Sequence, residues 1–203
     1  MDYWNFSLDI LLGYFLGAIP SAVIISRCYG ADILASGSCN PGATNVRRVV
    51  GRRAGRIVFL CDVLKGFLAV RGAIYLAPEN PQLAVIAGLI GAFLGHNFSA
   101  FIKFRGGKGI AVLIGGMGAA MANVLSVGLL TWSVVFWVTR YVSLASVCFC
   151  AILPLCSYLF GYDQYTNMAV LLLSTFAIVR HIPNIRRLLA GTEYRFTRPE
   201  NRP

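Results

Sequence analysis

Apolar positions along this chain gather into long runs at 8–26, 57–77, 82–95, 110–121, 124–138, 142–160 and 168–179, separated by short polar segments. A full membrane span takes about 20 apolar residues, and several of these runs are shorter. Three of the short ones abut polar, glycine-containing segments. The preferred reading is that those segments dip to headgroup depth, where non-helical backbone is tolerated if it lines a cavity; tilted half-spans are the alternative. Gly13, Gly17 and Pro20 interrupt the first run, and Asp62, Lys65 and Arg71 lie within the second.

Charge orients the runs. Cations occur at Arg27, then at Arg47, Arg48, Arg52, Arg53 and Arg56, then at Lys103, Arg105 and Lys108, and again at Arg140, Arg180, Arg186 and Arg187. The intervening segments 78–81, 122–123 and 161–167 contain no cation and hold Glu79 and Asp163. The positive-inside rule then places every basic segment in the cytoplasm. The expected fold is an all-α polytopic membrane protein of about seven transmembrane helices with the N-terminus outside. Because 109–138 is short for a two-helix hairpin, five spans with interfacial segments is the alternative count. No linker, repeat or low-complexity tract divides the chain, so a single membrane domain is expected over 1–193, followed by a short basic tail at 194–203.

Composition agrees with a membrane solvent. Hydrophobic residues are 57% of 203, charged residues 13%, and mean hydropathy is +0.68, whereas soluble domains carry about 25% charged residues. The 18 Lys and Arg against 8 Asp and Glu leave a net charge of +10. These cations fall between apolar runs, not on one face of a soluble core. That excludes the usual nucleic-acid binder and suits an anionic membrane surface and anionic substrates. Cys28, Cys39, Cys61, Cys148, Cys150 and Cys156 show no CxxC spacing, which argues against zinc. The N-terminus lacks a basic n-region, and Asp2 and Asp9 flank its first apolar residues, so it does not read as a cleaved signal peptide.

Three polar segments carry candidate chemistry. Residues 95–110, GHNFSAFIKFRGGKGI, combine His96, three cations and a glycine run. Gly106 and Gly107 permit close backbone approach, exposed N–H groups can cradle an anion, and Lys108 adds a point charge. Residues 36–48, SGSCNPGATNVRR, supply Ser38, Asn40, Thr44 and Asn45 as short hydrogen-bonding side chains. Thr44 is a plausible N-cap for a helix running through the arginines, and Arg48 offers a planar donor fork. Residues 180–193, RHIPNIRRLLAGTE, place Asn184 three residues after His181, with Pro183 a helix start and Gly191 a stop. His96 and His181 are the only histidines. Each adjoins an asparagine and a basic segment, which raises acid–base or substrate-orienting work. Asp62 and Lys65, three apart on a helix, share a face and read as a structural ion pair.

Taken in order, these three segments, with DVLKG at 62–66 and RYVSLAS at 140–146, resemble the signature motifs of the bacterial acyl-phosphate:glycerol-3-phosphate acyltransferases. The resemblance covers roughly residues 13–193. It implies a seven-helix enzyme of the bacterial inner membrane, with its active site at the cytoplasmic face. It implies transfer of a fatty acyl group from acyl phosphate to the 1-position of sn-glycerol 3-phosphate, giving lysophosphatidic acid and phosphate. Its substrates are then glycerol 3-phosphate and a long-chain acyl phosphate, met at membrane lipid, with no metal, no cofactor, no acyl-CoA and no obligate protein partner. By the motif match, Ser38 and Arg48 are a functional pair, with Asn40 and Thr44 in the same loop. Gly106, Gly107, Lys108 and Gly109 match the phosphate-binding loop, which His96 opens. His181 and Asn184 match an activity-linked pair, Glu193 a structural glutamate, and either Ser143 or Ser146 a contributor to the site. Cys39 stands where that motif has glycine; a positive φ there would cost a cysteine on the order of 1 kcal/mol.

The residues leave the proton acceptor open between His96, His181 and a substrate phosphate oxygen. Direct transfer is preferred over an acyl-Ser38 intermediate, since no Ser–His–Asp order suggests a triad. An organic-phosphate transporter is the non-enzyme rival, but it predicts similarity between the two halves, and none is visible.

Overall fold

The computed structural model describes residues 3–196. Asp2 and residues 197–203 of the expected tail lie outside the described residues. Among the described residues all regular structure is helical. They group into two compact units, one ending at Ala122 and the other beginning at Asn123.

The first unit holds α1 (Tyr3–Ala18), α2 (Ser21–Cys28), α3 (Ala43–Val49), α4 (Arg52–Leu76), α5 (Pro81–Asn97) and α6 (Ile110–Ala120). Pro20 splits the expected first run into α1 and α2, because its ring removes an N–H and stops α1 at Ala18. Side chains from elsewhere in the unit reach the carbonyls at this break. Ser99 Oγ donates to Ala18 O and Lys65 Nζ to Ile19 O. Glycines set how closely the helices pack. A methyl on Gly17 would overlap the Ala92 carbonyl, and one on Gly95 the Tyr14 carbonyl, so the backbones of α1 and α5 touch. Gly66 and Gly115 do the same between α4 and α6, against the carbonyls of Val112 and Val63. Without a hydrophobic drive between helices in lipid, such small-residue contacts are the main source of helix association.

Burial on α4 runs opposite to that of a soluble helix. Asp62 and Lys65 are 2% and 6% exposed while Leu60 and Leu64 are 63% and 54% exposed. Leucines turned outward and charges turned inward are what a lipid solvent selects.

The second unit holds α7 (Ala122–Thr139), α8 (Val142–Leu159), α9 (Gln164–Arg180) and α10 (Ile182–Leu189). Asp163 caps α9, its carboxylate accepting from the Tyr165 and Thr166 N–H groups. Gly128 lets the Phe149 and Leu153 side chains of α8 lie against α7. Among the described residues, four stretches are long and apolar enough to cross a membrane: Phe6–Cys28, Pro81–Ile102, Ala122–Thr139 and Val142–Leu159. Helices α9 and α10, bent by 52° at His181, make a fifth if taken as one span. The 25-residue α4 has the length but carries buried charge, and α6 has only 11 residues.

Candidate active site

In the first unit, His96 lies in the last turn of α5, and the chain then loops back onto that helix end. Gly106 N donates to Asn97 O and Gly107 N to His96 O, both at 3.1 Å. The sequence reading expected these two N–H groups to be exposed for an anion. They satisfy instead the carbonyls that the end of α5 leaves without helical partners. The glycines serve close packing: a Cβ on Gly107 would strike His96 Nε2, and one on Gly106 would strike the His96 and Asn97 carbonyls. Gly109, at φ +87°, caps α6, and Leu113 N is the first amide of that helix to bond back, to Gly109 O. The anion-ready donors are therefore the N–H groups of Ile110, Ala111 and Val112 at the start of α6, beside half-buried Lys108.

The 36–48 loop is held from within by Asn45, 2% exposed. Its Oδ1 accepts from Ser38 N at 2.9 Å and its Nδ2 donates to Ser36 O at 3.0 Å. Ser38 and Cys39 are exposed, Asn40 and Thr44 half-buried, and Arg48 exposed on α3. Helix α3 starts from Gly42, whose carbonyl accepts from Asn45 N and Val46 N. Thr44 thus sits inside the first turn and is not the cap. Cys39 has φ +55°, the left-handed backbone that the sequence made a concern.

Asp62 and Lys65 form the expected ion pair, Oδ1 to Nζ at 2.8 Å. The same Oδ1 lies 3.8 Å from His96 Nδ1. Asp62, Lys65, His96, Gly106, Gly107 and Pro41 of the 36–48 loop all line one cleft of about 10 Å³, the room a single water needs.

In the second unit, Pro183 in the first turn of α10 and the bend at His181 set the geometry. His181 Nδ1 lies 2.7 Å from Ala177 O. A carbonyl only accepts, so Nδ1 carries the hydrogen, and in the neutral ring Nε2 carries the lone pair. Asn184 Nδ2 and Arg187 Nε each donate to Glu193, to Oε1 and Oε2, at 2.7 Å. Burial opposes the charged form of Glu193, but bonds from Asn184, Ser143 and Arg187 and the guanidinium charge outweigh it. Its carboxyl titrates below the ordinary range. Ser143 Oγ, though without a partner at full hydrogen-bond distance, lies near enough to Glu193 to favour the carboxylate. Ser146 Oγ instead donates to Val142 O and accepts from Trp132 Nε1. Of the two serines, only Ser143 joins the Asn184–Glu193 cluster.

The candidates thus fall into two sets. One joins the glycine loop, His96 and the edge of the 36–48 loop; the other joins His181, Asn184, Ser143 and Glu193. Sequence reasoning gave no site role to Asn45, Arg187 or Asp62. The i, i+3 spacing flagged Asp62 with Lys65, but nothing local in sequence links Asp62 to His96 on a different helix. Among the described residues, no group of three or more His, Cys, Asp and Glu could hold a metal ion.

Residues 8–191 match the family described as glycerol-3-phosphate acyltransferase. The glycerol-3-phosphate acyltransferase of Aliivibrio salmonicida is 42% identical over 185 residues, spanning 91% of this chain and 94% of that relative. That of Fusobacterium nucleatum is 40% identical, spanning 92% and 96%. The crystal structure of PlsY (YgiH), an integral membrane glycerol 3-phosphate acyltransferase in its glycerol 3-phosphate form, is similar with a TM-score of 0.88 at 35% identity over 94% of each chain. The lysophosphatidic acid form of the same enzyme gives 0.85.

Proposed function

The chain belongs to the glycerol-3-phosphate acyltransferase family, and from that premise we propose that its acyl donor is an acyl phosphate. The C1 hydroxyl of sn-glycerol 3-phosphate attacks the acyl carbonyl, an ester bond forms, the acyl C–O bond to phosphate breaks, and inorganic phosphate leaves. The product is lysophosphatidic acid. Phosphate is already a good leaving group, so the protein mainly has to hold two anions together and take up one proton. Positioning of this kind supplies roughly 7–11 kcal/mol in favourable cases.

The observation that supports the reading is that the glycine loop packs back onto His96 at the end of α5 and opens directly, at Gly109, into the N-terminus of α6. Lys108, Arg48 and the first N–H groups of α6 neutralise the substrate phosphates, with Gly106, Gly107 and Gly109 shaping the backbone that aims them. Ser38 orients the acyl carbonyl and its oxyanion, Asn40 and Thr44 support the Ser38 loop, and Asn184 is the activity-linked partner of His181. His181 Nε2 takes the hydroxyl proton. Transfer is direct, without an acyl-Ser38 intermediate. The reaction runs at the cytoplasmic face of a bacterial inner membrane, with the N-terminus outside and seven membrane segments.

Purified protein in detergent, given labelled glycerol 3-phosphate with palmitoyl phosphate or palmitoyl-CoA, tests the donor. Lysophosphatidic acid from palmitoyl phosphate alone is expected. Product from palmitoyl-CoA alone would reverse the donor assignment, and no product from either would favour glycerol-phosphate transport. Orientation is read separately. In a Cys28→Ser background, an impermeant maleimide should label exposed Cys39 in inverted vesicles and spare it in sealed spheroplasts.

A further inference from the structure

Two buried charges in the first unit have no place in the proposed chemistry. The Asp62–Lys65 pair is almost wholly shielded from solvent, and a buried ion pair is weak evidence for a stabilising role, since apolar residues of similar volume often stabilise as much or more. Its surroundings suggest another use. Lys65 is fixed from two sides, by Asp62 Oδ1 at 2.8 Å and by the Ile19 carbonyl at 2.9 Å, which also accepts from Ser21 N at the break between α1 and α2. The carboxylate is therefore held still, and its Oδ1 faces His96 Nδ1 at 3.8 Å. On the other side of the imidazole, Nε2 lies against Gly107, where a Cβ could not fit. Gly66, next to Lys65, packs directly on the Val112 carbonyl in the first turn of α6. The helix bearing the pair is thus fixed both to the histidine and to the helix that opens at the glycine loop.

We propose that Asp62, held by Lys65, is a positioning residue for His96: it faces Nδ1 and keeps Nε2 turned to the glycine loop. The shared cleft has room for about one water, too little for the pair to touch substrate itself, so the effect passes through the ring. The inference rests on the reading of His96 as part of the substrate site.

A double-mutant cycle tests it, with kcat and KM for glycerol 3-phosphate measured using whichever acyl donor the wild-type protein accepts. Failure of the acyl phosphate reading is thereby seen in the wild type and does not touch this test. Asp62→Asn leaves Lys65 unpaired in a buried place, so Asp62→Asn/Lys65→Gln, which removes both charges, is measured beside it, with thermal melts confirming that each protein is folded. Misplacing a group by about 1 Å can cost about 100-fold. A loss of that order is expected for both Asp62 variants, in the same parameter that His96→Ala changes, with recovery in Asp62→Glu. In a His96→Ala background the same Asp62 changes should cost no more than about threefold, because coupled residues do not add. Losses that multiply in that background would overturn the proposal, as would a His96→Ala protein with wild-type kinetics.

Discussion

His96 and His181 both close a helix and both turn Nδ1 toward an acceptor, yet the acceptors differ in kind. His96 faces a carboxylate already shared with a lysine, 3.8 Å away, and its other edge meets the backbone of the glycine loop. His181 meets a backbone carbonyl at 2.7 Å. A neutral acceptor fixes the tautomer and leaves a lone pair on Nε2, the form that takes a proton. A ring set among charges at the start of α6 is better suited to orienting an anion. Two histidines that look alike in sequence thus meet acceptors of different kinds, and the proposed division of their roles rests on that difference.

Steady-state kinetics of His181→Gln and His96→Gln are the severest test of that contrast. His181→Gln should lower kcat about 1,000-fold, within the range for loss of a general base, and leave KM for glycerol 3-phosphate within a few-fold. His96→Gln should act mainly on KM. If both variants fall in the same parameter, the contrast fails.

The anion-holding side is sharpened by Lys108→Met. Loss of a charge-assisted contact worth about 1.5–3 kcal/mol should raise KM for glycerol 3-phosphate roughly 10- to 100-fold, with little change in kcat.

On the His181 side, Glu193→Gln removes the carboxylate that braces Asn184 and Arg187. Melting in detergent should show a loss of about 1–3 kcal/mol at neutral pH. The folded carboxyl of Glu193 titrates below its ordinary value of 4.5, so its contribution is complete above that pH and disappears as pH falls through the lowered value. The gap between wild type and Glu193→Gln should therefore narrow in acid; a gap independent of pH would remove the carboxylate from the account.

The smallest effect is expected at Cys39→Gly. Relief of the left-handed backbone is partly offset by glycine's greater freedom when unfolded, so a gain under about 1 kcal/mol in melting, with kcat unchanged, is the outcome.

Much of this was legible in one dimension. The apolar runs located α4 to α9 to within a few residues, because in lipid a helix must satisfy its own backbone and its length is set by the run itself. Pro20 marked the break between α1 and α2, and Pro183 and Gly191 bracketed α10 through their fixed or permitted φ. The glycine at 107 was visible too, but not its purpose: sequence suggested an open N–H for an anion, and the structure spends that N–H on the His96 carbonyl. The start of α3 at Gly42 and not Thr44 was decided the same way, by which carbonyl two amides could reach.

The order of apolar runs, the polar segments between them and the residues able to carry charge or protons were all determined by the chain itself, because they depend only on local composition and on what a membrane tolerates. What the tertiary structure alone decided is partnership. That Asn45 rather than a turn residue holds Ser38 in place, and that Ser143 and not Ser146 lies near Glu193, is decided by side-chain reach; that Asp62 of α4 faces His96 of α5 follows from helices packed backbone to backbone on glycine, Gly88 lying against Val70. Such distances are set by side chains missing on one helix and carbonyls present on another, and no stretch of sequence contains both.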